Sequence, residues 1–435
     1  MSPETIGILA FVLLVVLLLL RVPVGIAMIG VAIIGFWQII GWRGAMGRIG
    51  QDFFREAGSY SLAVIPMFVL MGLVLAHSGL GEDLYEAFDA FLWRVRGGLG
   101  VATVGASAMF SAVNGSAVAS ATTMSLVAVP EMRRFDYDEG YAAATTAVGG
   151  TLGAIIPPSA VLVLYALLTE ESIPKTLIGG IIPGVMTAVM LMITAWLLVK
   201  WKPSLAPRDP VKPAISKLRA IGKVWAVPLI FGISMGGLLA GWFLPSEAGA
   251  VGAASAILYG VVTRRLNWKR FVEAVSRTIR VSSMIFLLVM GGKMFGYFLS
   301  ITRIPRALGT WIEGLDVVPW MVVAAVFLVY FVLGALMDEI AILVIMTPIT
   351  YPIVVDGLGY DGVWFGVLSI MMLLTGLIVP PVGVITFVVA GITKIPLQKV
   401  FRGIMPFVVT LAIAVFLVIW FPDLALFLPD RMQGP

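Results

Sequence analysis

The chain has 435 residues, 60% hydrophobic and only 12% charged, with a formal net charge of +5 and a mean hydropathy of +1.04. No soluble domain of this size hides so much apolar side chain, so the lipid bilayer is the implied solvent; the positive excess marks cytoplasmic loops, and no nucleic-acid partner is expected. The absence of cysteine excludes disulfides and thiol chemistry, and a single histidine, His77, excludes a multi-histidine metal centre.

Residues 6–20 form an apolar run without a charged leader. Arg21-Val22-Pro23 follows where a cleavage site would need small residues, so the run reads as a retained first span. Apolar segments long enough to cross fall near 5–20, 24–41, 60–78, 99–129, 140–168, 177–200, 221–243, 246–263, 282–300, 317–350, 364–393 and 403–422. All read as helix, with no alternating barrel pattern. The stretches 99–129 and 317–350 are too long for one crossing and predict hairpins that enter and return.

Between the spans, Glu82 to Arg96 carries Leu84, Phe88, Phe91 and Leu92 at helical spacing, with acids on the other face. Its counterpart, Ile304 to Leu315, contains Trp311 and Ile312. Both predict amphipathic helices along the interface, either plain connections or braces between a moving part and a fixed frame. Trp37, Trp42, Trp93, Trp201 and Trp420 sit near segment ends, as belt residues do, and Arg21 reads as a snorkelling anchor. The basic linker 201–223 divides the chain into units 1–200 and 224–435. It holds Lys202, Arg208, Lys212, Lys217, Arg219 and Lys223 against a lone Asp209, so it is expected in the cytoplasm. The loop 264–280, with Arg264, Arg265, Lys269, Arg270, Arg277 and Arg280, belongs on the same side.

The two units look like copies. Phe110 to Leu162 aligns with Leu333 to Ile385, placing Tyr137 on Tyr360, Asp138 on Asp361, Gly153 on Gly376 and Pro157-Pro158 on Pro380-Pro381, a constant spacing of 223 residues. Each copy has a small-residue or acidic stretch, Ser111 to Ser116 or Gly334 to Asp338, and then an apolar helix interrupted by Gly-x-x-x-Pro-Pro. Proline removes a backbone donor, so carbonyls before each Pro-Pro lose their helical partners. In hydrocarbon they must face protein, water or a cation. Broken helices at matching places in two halves are the best sequence pointer to a transporter's midplane binding site. Taken alone, Ser111, Ser116, Ser120 and Thr122 would be the small residues of close helix packing; the broken helix repeated beside them turns that reading towards a site. Asp338 is the intramembrane carboxylate expected to be functional, and Glu339 its solvated neighbour.

A weaker match sets Pro23 on Pro245. Two spans join the linker to the loop 264–280, so the turn at Pro245-Ser246-Glu247 is external; if the halves also have opposite topology, Pro23 is cytoplasmic and both termini are periplasmic. Charge agrees: 394–402 carries Lys394, Lys399 and Arg402, whereas its counterpart 170–175 carries Glu170, Glu171 and Lys175. The expected fold is an all-α polytopic membrane protein of two inverted repeats, with two re-entrant helical hairpins and two broken helices.

The runs FSAVNGSAVA, GTLGAIIPPS, GWFLPSEAGAVGA, LGALMDEIA and GLIVPPVG, in this order, resemble the large membrane subunit (M subunit, dicarboxylate-transporter type) of tripartite ATP-independent periplasmic (TRAP) transporters, from Arg21 to Pro406. The resemblance implies a sodium-coupled elevator of the ion-transporter superfamily type, multi-pass in a bacterial inner membrane. It implies two separate partners, a small four-helix membrane subunit and a periplasmic substrate-binding protein that delivers an organic acid. It also implies a first sodium (Na+) site at Asn114 and Ser116 with carbonyls of Gly153, Ile156 and Pro158. A second would lie at Gly334 and Asp338 with carbonyls of Gly376, Val379 and Val382, and the anion beside Ser111, Asn114, Ser159, Asp338 and Thr375. Three positions depart from the family pattern: Val379 stands where Thr is usual, Asn114 where Ser is common and Met372 where Asn is frequent. The rival readings are a stand-alone di- or tricarboxylate carrier and an ion channel on the same repeat. An enzyme is not expected, since no nucleophile, metal cluster or paired carboxylates occur at membrane depth.

Overall fold

The computed structural model describes residues 2–207, 215–314 and 318–432, and among these every regular element is a helix. The first half contains α1 (Pro3–Leu19), α2 (Val24–Ala57), α3 (Val64–His77), α4 (Leu80–Leu92), α5 (Gly98–Asn114), α6 (Ala117–Arg134), α7 (Glu139–Thr151), α8 (Ala160–Thr169), α9 (Ile173–Gly179) and α10 (Ile181–Trp201). The second contains α11 (Lys217–Val224), α12 (Ala226–Leu239), α13 (Pro245–Val262), α14 (Trp268–Thr302), α15 (Ile304–Glu313), α16 (Pro319–Gly334), α17 (Glu339–Tyr351), α18 (Gly362–Gly376), α19 (Val384–Thr393) and α20 (Leu397–Trp420).

Among the described residues seven helical stretches are long and apolar enough to cross a membrane, including α2, α14 and α20. The elements around the repeat are shorter. α5 and α16 have 17 and 16 residues, α7 and α18 have 13 and 15, and α8 and α19 have 10 each. At 1.5 Å per residue none covers ~30 Å of hydrocarbon alone, so they work as pairs. α5 with α6 and α16 with α17 are the two hairpins, whereas α7 with α8 and α18 with α19 are the broken helices.

The local devices repeat with the sequence. Asp138 caps α7 by accepting from the Tyr141 amide at 2.9 Å, and Asp361 caps α18 by accepting from the Trp364 amide at 2.9 Å. Tyr141 then donates its hydroxyl to the Ala195 carbonyl on α10 at 3.0 Å; Trp364 donates its indole N–H to the Val418 carbonyl on α20, also at 3.0 Å. Pro157-Pro158 and Pro380-Pro381 are both cis. Packing between the halves is reciprocal: α2 lies on α14 and α3 on α13, while α6 lies on α19 and α17 on α8. Each hairpin therefore rests against the other half's broken helix.

Two expectations need correction, and two further features come from the structure alone. The supposed loop 264–280 is helical from Trp268, as the first turns of α14. Span 24–41 does not stop at Gly41 but turns there, at φ +75°, and runs on to Ala57. The end of the basic linker is α11, packed on α4. Asp83, one of the acids of α4, is buried and paired with Arg265 and, at 3.6 Å, with Lys223. α4 thus joins the first half to both basic segments of the second. Arg208, Asp209 and Lys212 of the linker, Leu315, and the side chains of Trp311 and Ile312 lie outside the described residues.

Candidate functional site

The first hairpin reverses at Gly115, which ends α5 with φ +65°, a region open to glycine and unfavourable for a side chain. Ser116 follows as N-cap of α6, its Oγ accepting from the Ala119 amide at 3.4 Å. This tip meets the break in α7–α8 backbone to backbone. The Ala160 amide donates to the Gly115 carbonyl at 3.4 Å, and a Cβ at Gly115 would overlap the Pro158 carbonyl. A Cβ at Gly153 would lie 2.7 Å from the carbonyl carbon and oxygen of Ser116. Only glycine on both sides allows so close an approach.

The proline pair explains the break. In a continuous helix the carbonyls of Gly153 and Ala154 would accept from residues 157 and 158, both prolines without a proton to give. Ala154 is rescued by the Ser159 hydroxyl at 2.5 Å. The same Ser159 Oγ accepts from the amides of Val161 and Leu162, both at 3.2 Å, as N-cap of α8.

The second hairpin repeats the scheme with other atoms. α16 ends at Gly334, and Asp338 caps α17 by accepting from the Ile340 amide at 3.0 Å. A Cβ at Gly376 would lie 2.6 Å from the Phe331 carbonyl oxygen and 2.8 Å from Cα of Gly334. The amides of Val382 and Gly383 both donate to the Ala335 carbonyl, at 3.3 and 3.1 Å. Leu377, deprived by Pro381, accepts from the Ile385 amide at 3.1 Å, and Ile378 accepts from the Thr386 hydroxyl at 2.9 Å.

A cavity of about 600 Å³ separates the two tips from the long helices α2 and α14. Asn114, Gly115 and Ser116 line it from one hairpin, Asp338 and Glu339 from the other, and Gly25 and Arg277 from α2 and α14. The structure brings Ser116, Gly153 and Pro158 together at the first tip and Gly334, Gly376 and Val382 at the second. Asn114 and Asp338 face the cavity. Ile156 lies in the same break with its side chain against Gly184 of α10, and Val379 is buried with its carbonyl towards Gly383.

Three expected substrate residues are not in the lining. Ser111 is fully buried in α5 with no partner for its Oγ, Ser159 is occupied by its capping bonds, and Thr375 donates to the Met371 carbonyl at 2.9 Å beside a separate small void. Of the two adjacent acids only Glu339 departs from expectation: Asp338 is exposed at the cavity, whereas Glu339, expected to be solvated, is 4% exposed and its Oε2 has no hydrogen-bond partner among the described residues. Glu339 and Arg277 are the charged lining residues that sequence reasoning missed.

The family model for the DctM component of tripartite ATP-independent periplasmic transporters matches residues 11–424. The chain belongs to this family. It is 31% identical to the C4-dicarboxylate TRAP transporter large permease protein DctM of Pseudomonas aeruginosa, over 87% of this chain and 88% of that one. It is 29% identical to the sialic acid TRAP transporter large permease protein SiaM of Vibrio cholerae, over 96% and 97%. The fold is similar to that of the Alcanivorax borkumensis YdaH transporter, with a TM-score of 0.61 and 15% identity over 91% of this chain and 89% of that one. This is a TRAP large permease, a multi-pass bacterial membrane protein of a transport family and not an enzyme. Both hairpin tips and both proline breaks fall within the matched residues.

Proposed function

We propose that this permease imports an organic acid anion, a carboxylate, dicarboxylate or sugar acid, across the bacterial inner membrane and draws its energy from the sodium gradient. The observation that carries the proposal is the doubled contact of a hairpin tip on a proline-broken helix, with a 600 Å³ cavity between the tips and the frame. Sodium is a hard cation that suits carbonyl and hydroxyl oxygens, and unwound backbone supplies them. The first ion is held by Asn114, Ser116 and the carbonyls of Gly153, Ile156 and Pro158. The second is held by Gly334, Asp338 and the carbonyls of Gly376, Val379 and Val382. Because only its carbonyl is needed, valine at 379 leaves the second site usable.

Bound ions draw each tip onto its break and so shape the anion site, where exposed amides at the tips receive a carboxylate. Only the loaded hairpins and broken helices then slide against the frame of α2, α3, α13 and α14, an elevator motion. Two relatives are named for a C4-dicarboxylate and for sialic acid, both carboxylate compounds. A small four-helix membrane subunit and a periplasmic binding protein complete the system, and both termini of the permease face the periplasm. The test is uptake into vesicles holding the permease and its small subunit, with the loaded binding protein outside. Uptake is expected only with sodium higher outside; equal uptake without sodium would remove the coupling. Transport by the permease alone would favour a stand-alone carrier, and currents far above carrier turnover would favour a channel.

A further inference from the structure

Glu339 has no part in the sodium sites proposed above, yet it is the most constrained carboxyl at the cavity. It opens α17 at the second hairpin tip, lies in the cavity wall, is 4% exposed and leaves Oε2 without a hydrogen-bond partner among the described residues. A buried carboxylate in this state is unfavourable unless a positive charge lies beside it. The dipole of α17 offsets part of that cost but supplies no proton to Oε2. The charged residues lining the cavity are Arg277 on α14 and the two acids of the hairpin tip, so the frame presents a cation and the tip presents carboxylates.

We infer that Glu339 receives a monovalent cationic group inside the cavity. The chemistry is an ion pair between its carboxylate and either a sodium ion or the ammonium group of a zwitterionic acid whose carboxylate faces Arg277. In either case the cation enters from the cavity and pairs with the Glu339 carboxylate. The inference rests on the reading of the cavity as the transport site, and it adds a residue that the two-site scheme leaves out.

The test follows the melting temperature of the purified full-length permease in detergent, for the wild type, Glu339→Gln and Glu339→Asp. One arm titrates sodium chloride against potassium chloride at fixed ionic strength without organic ligand. The other titrates β-alanine against propionate at fixed sodium, two acids that differ only in the ammonium group. The half-saturating concentration of sodium or of β-alanine should rise about tenfold in Glu339→Gln, while propionate is unchanged. Glu339→Asp keeps the charge and should fall between, which carries the test if the Gln variant does not fold. A shift in the first arm assigns the cation to sodium, and one in the second assigns it to an ammonium group. A wild type that ignores sodium contradicts the coupling proposed above and leaves Glu339 to the β-alanine arm. A responsive wild type with an indistinguishable Glu339→Gln variant in both arms overturns the inference and leaves the coupling standing.

Discussion

Tyr141 and Trp364 occupy the same place in the two halves and do the same work with different chemistry. Each is buried, each stacks on the tyrosine four residues before it, at 6.4 Å for Tyr137 and 5.1 Å for Tyr360, and each donates one hydrogen bond to a carbonyl on the following long helix. Tyr141→Phe removes one donor from a carbonyl that keeps its helical bond, so the loss should be about 1 kcal/mol, read as a small drop in melting temperature. Trp364→Phe should cost more, because it also empties the volume of the larger ring. The tyrosines at 137 and 360 were legible as a repeat, but no letter comparison pairs a phenol with an indole.

Asp89, on helix α4, makes a prediction of another kind. Burial, together with the carboxylates of Glu131 and Glu86, pushes its pKa up to about 6 from an ordinary 3.8. Between those values the folded chain holds a proton that the unfolded chain has released. Stability from this group is therefore greatest at the acid end and falls as pH rises through about 6. Asp89→Asn should flatten the melting temperature across that window, and an unchanged slope would refute the assignment.

Among the elements, the proline breaks were readable because a missing N–H acts the same way in any surroundings. The phase of α17 was not. Which of two adjacent acids turns inward depends on where the helix starts, and the Asp338 cap sets that start one residue before Glu339. The polar turns of α14 read as a loop in sequence because their buried stripe is Ala274, Thr278 and Ser282, small residues that add little apolar signal beside the arginines between them. The same helix carries Lys293, which is 12% exposed in its side chain and pairs with Glu56 of α2 at 3.2 Å and Glu170 after α8 at 3.5 Å. One pair lies within the frame and the other joins frame to broken helix. Lys293→Met strands a buried Glu56, so the loss should be about 3–5 kcal/mol, read by thermal melting. Glu170→Gln removes only an exposed partner and should change stability by less than about 1 kcal/mol.

For the whole molecule, sequence patterns reach the duplication and its broken helices, because both are local and recur at one spacing. They do not reach the reciprocal docking of each hairpin on the other half, which depends on contacts far apart in the chain. The proposed orientation is open to direct labelling, since the chain contains no cysteine and any introduced one is unique. Single cysteines at Ser2 and Lys202 should react with an impermeant thiol reagent from opposite faces of the membrane, Ser2 from the periplasmic one. Reaction from the same face would refute the opposed topology.

The most direct measurement is equilibrium binding of radioactive sodium to the purified permease, comparing the wild type with Gly153→Ala, Gly376→Ala and the double variant. Each added methyl would meet the backbone of a hairpin tip within 2.7 Å, so tip and break must separate. The predicted result is saturable sodium binding in the wild type, less sodium bound at saturation in each single variant, and none in the double variant. Full binding by the folded double variant, or none by the wild type, would contradict the assignment of the ions to these two breaks.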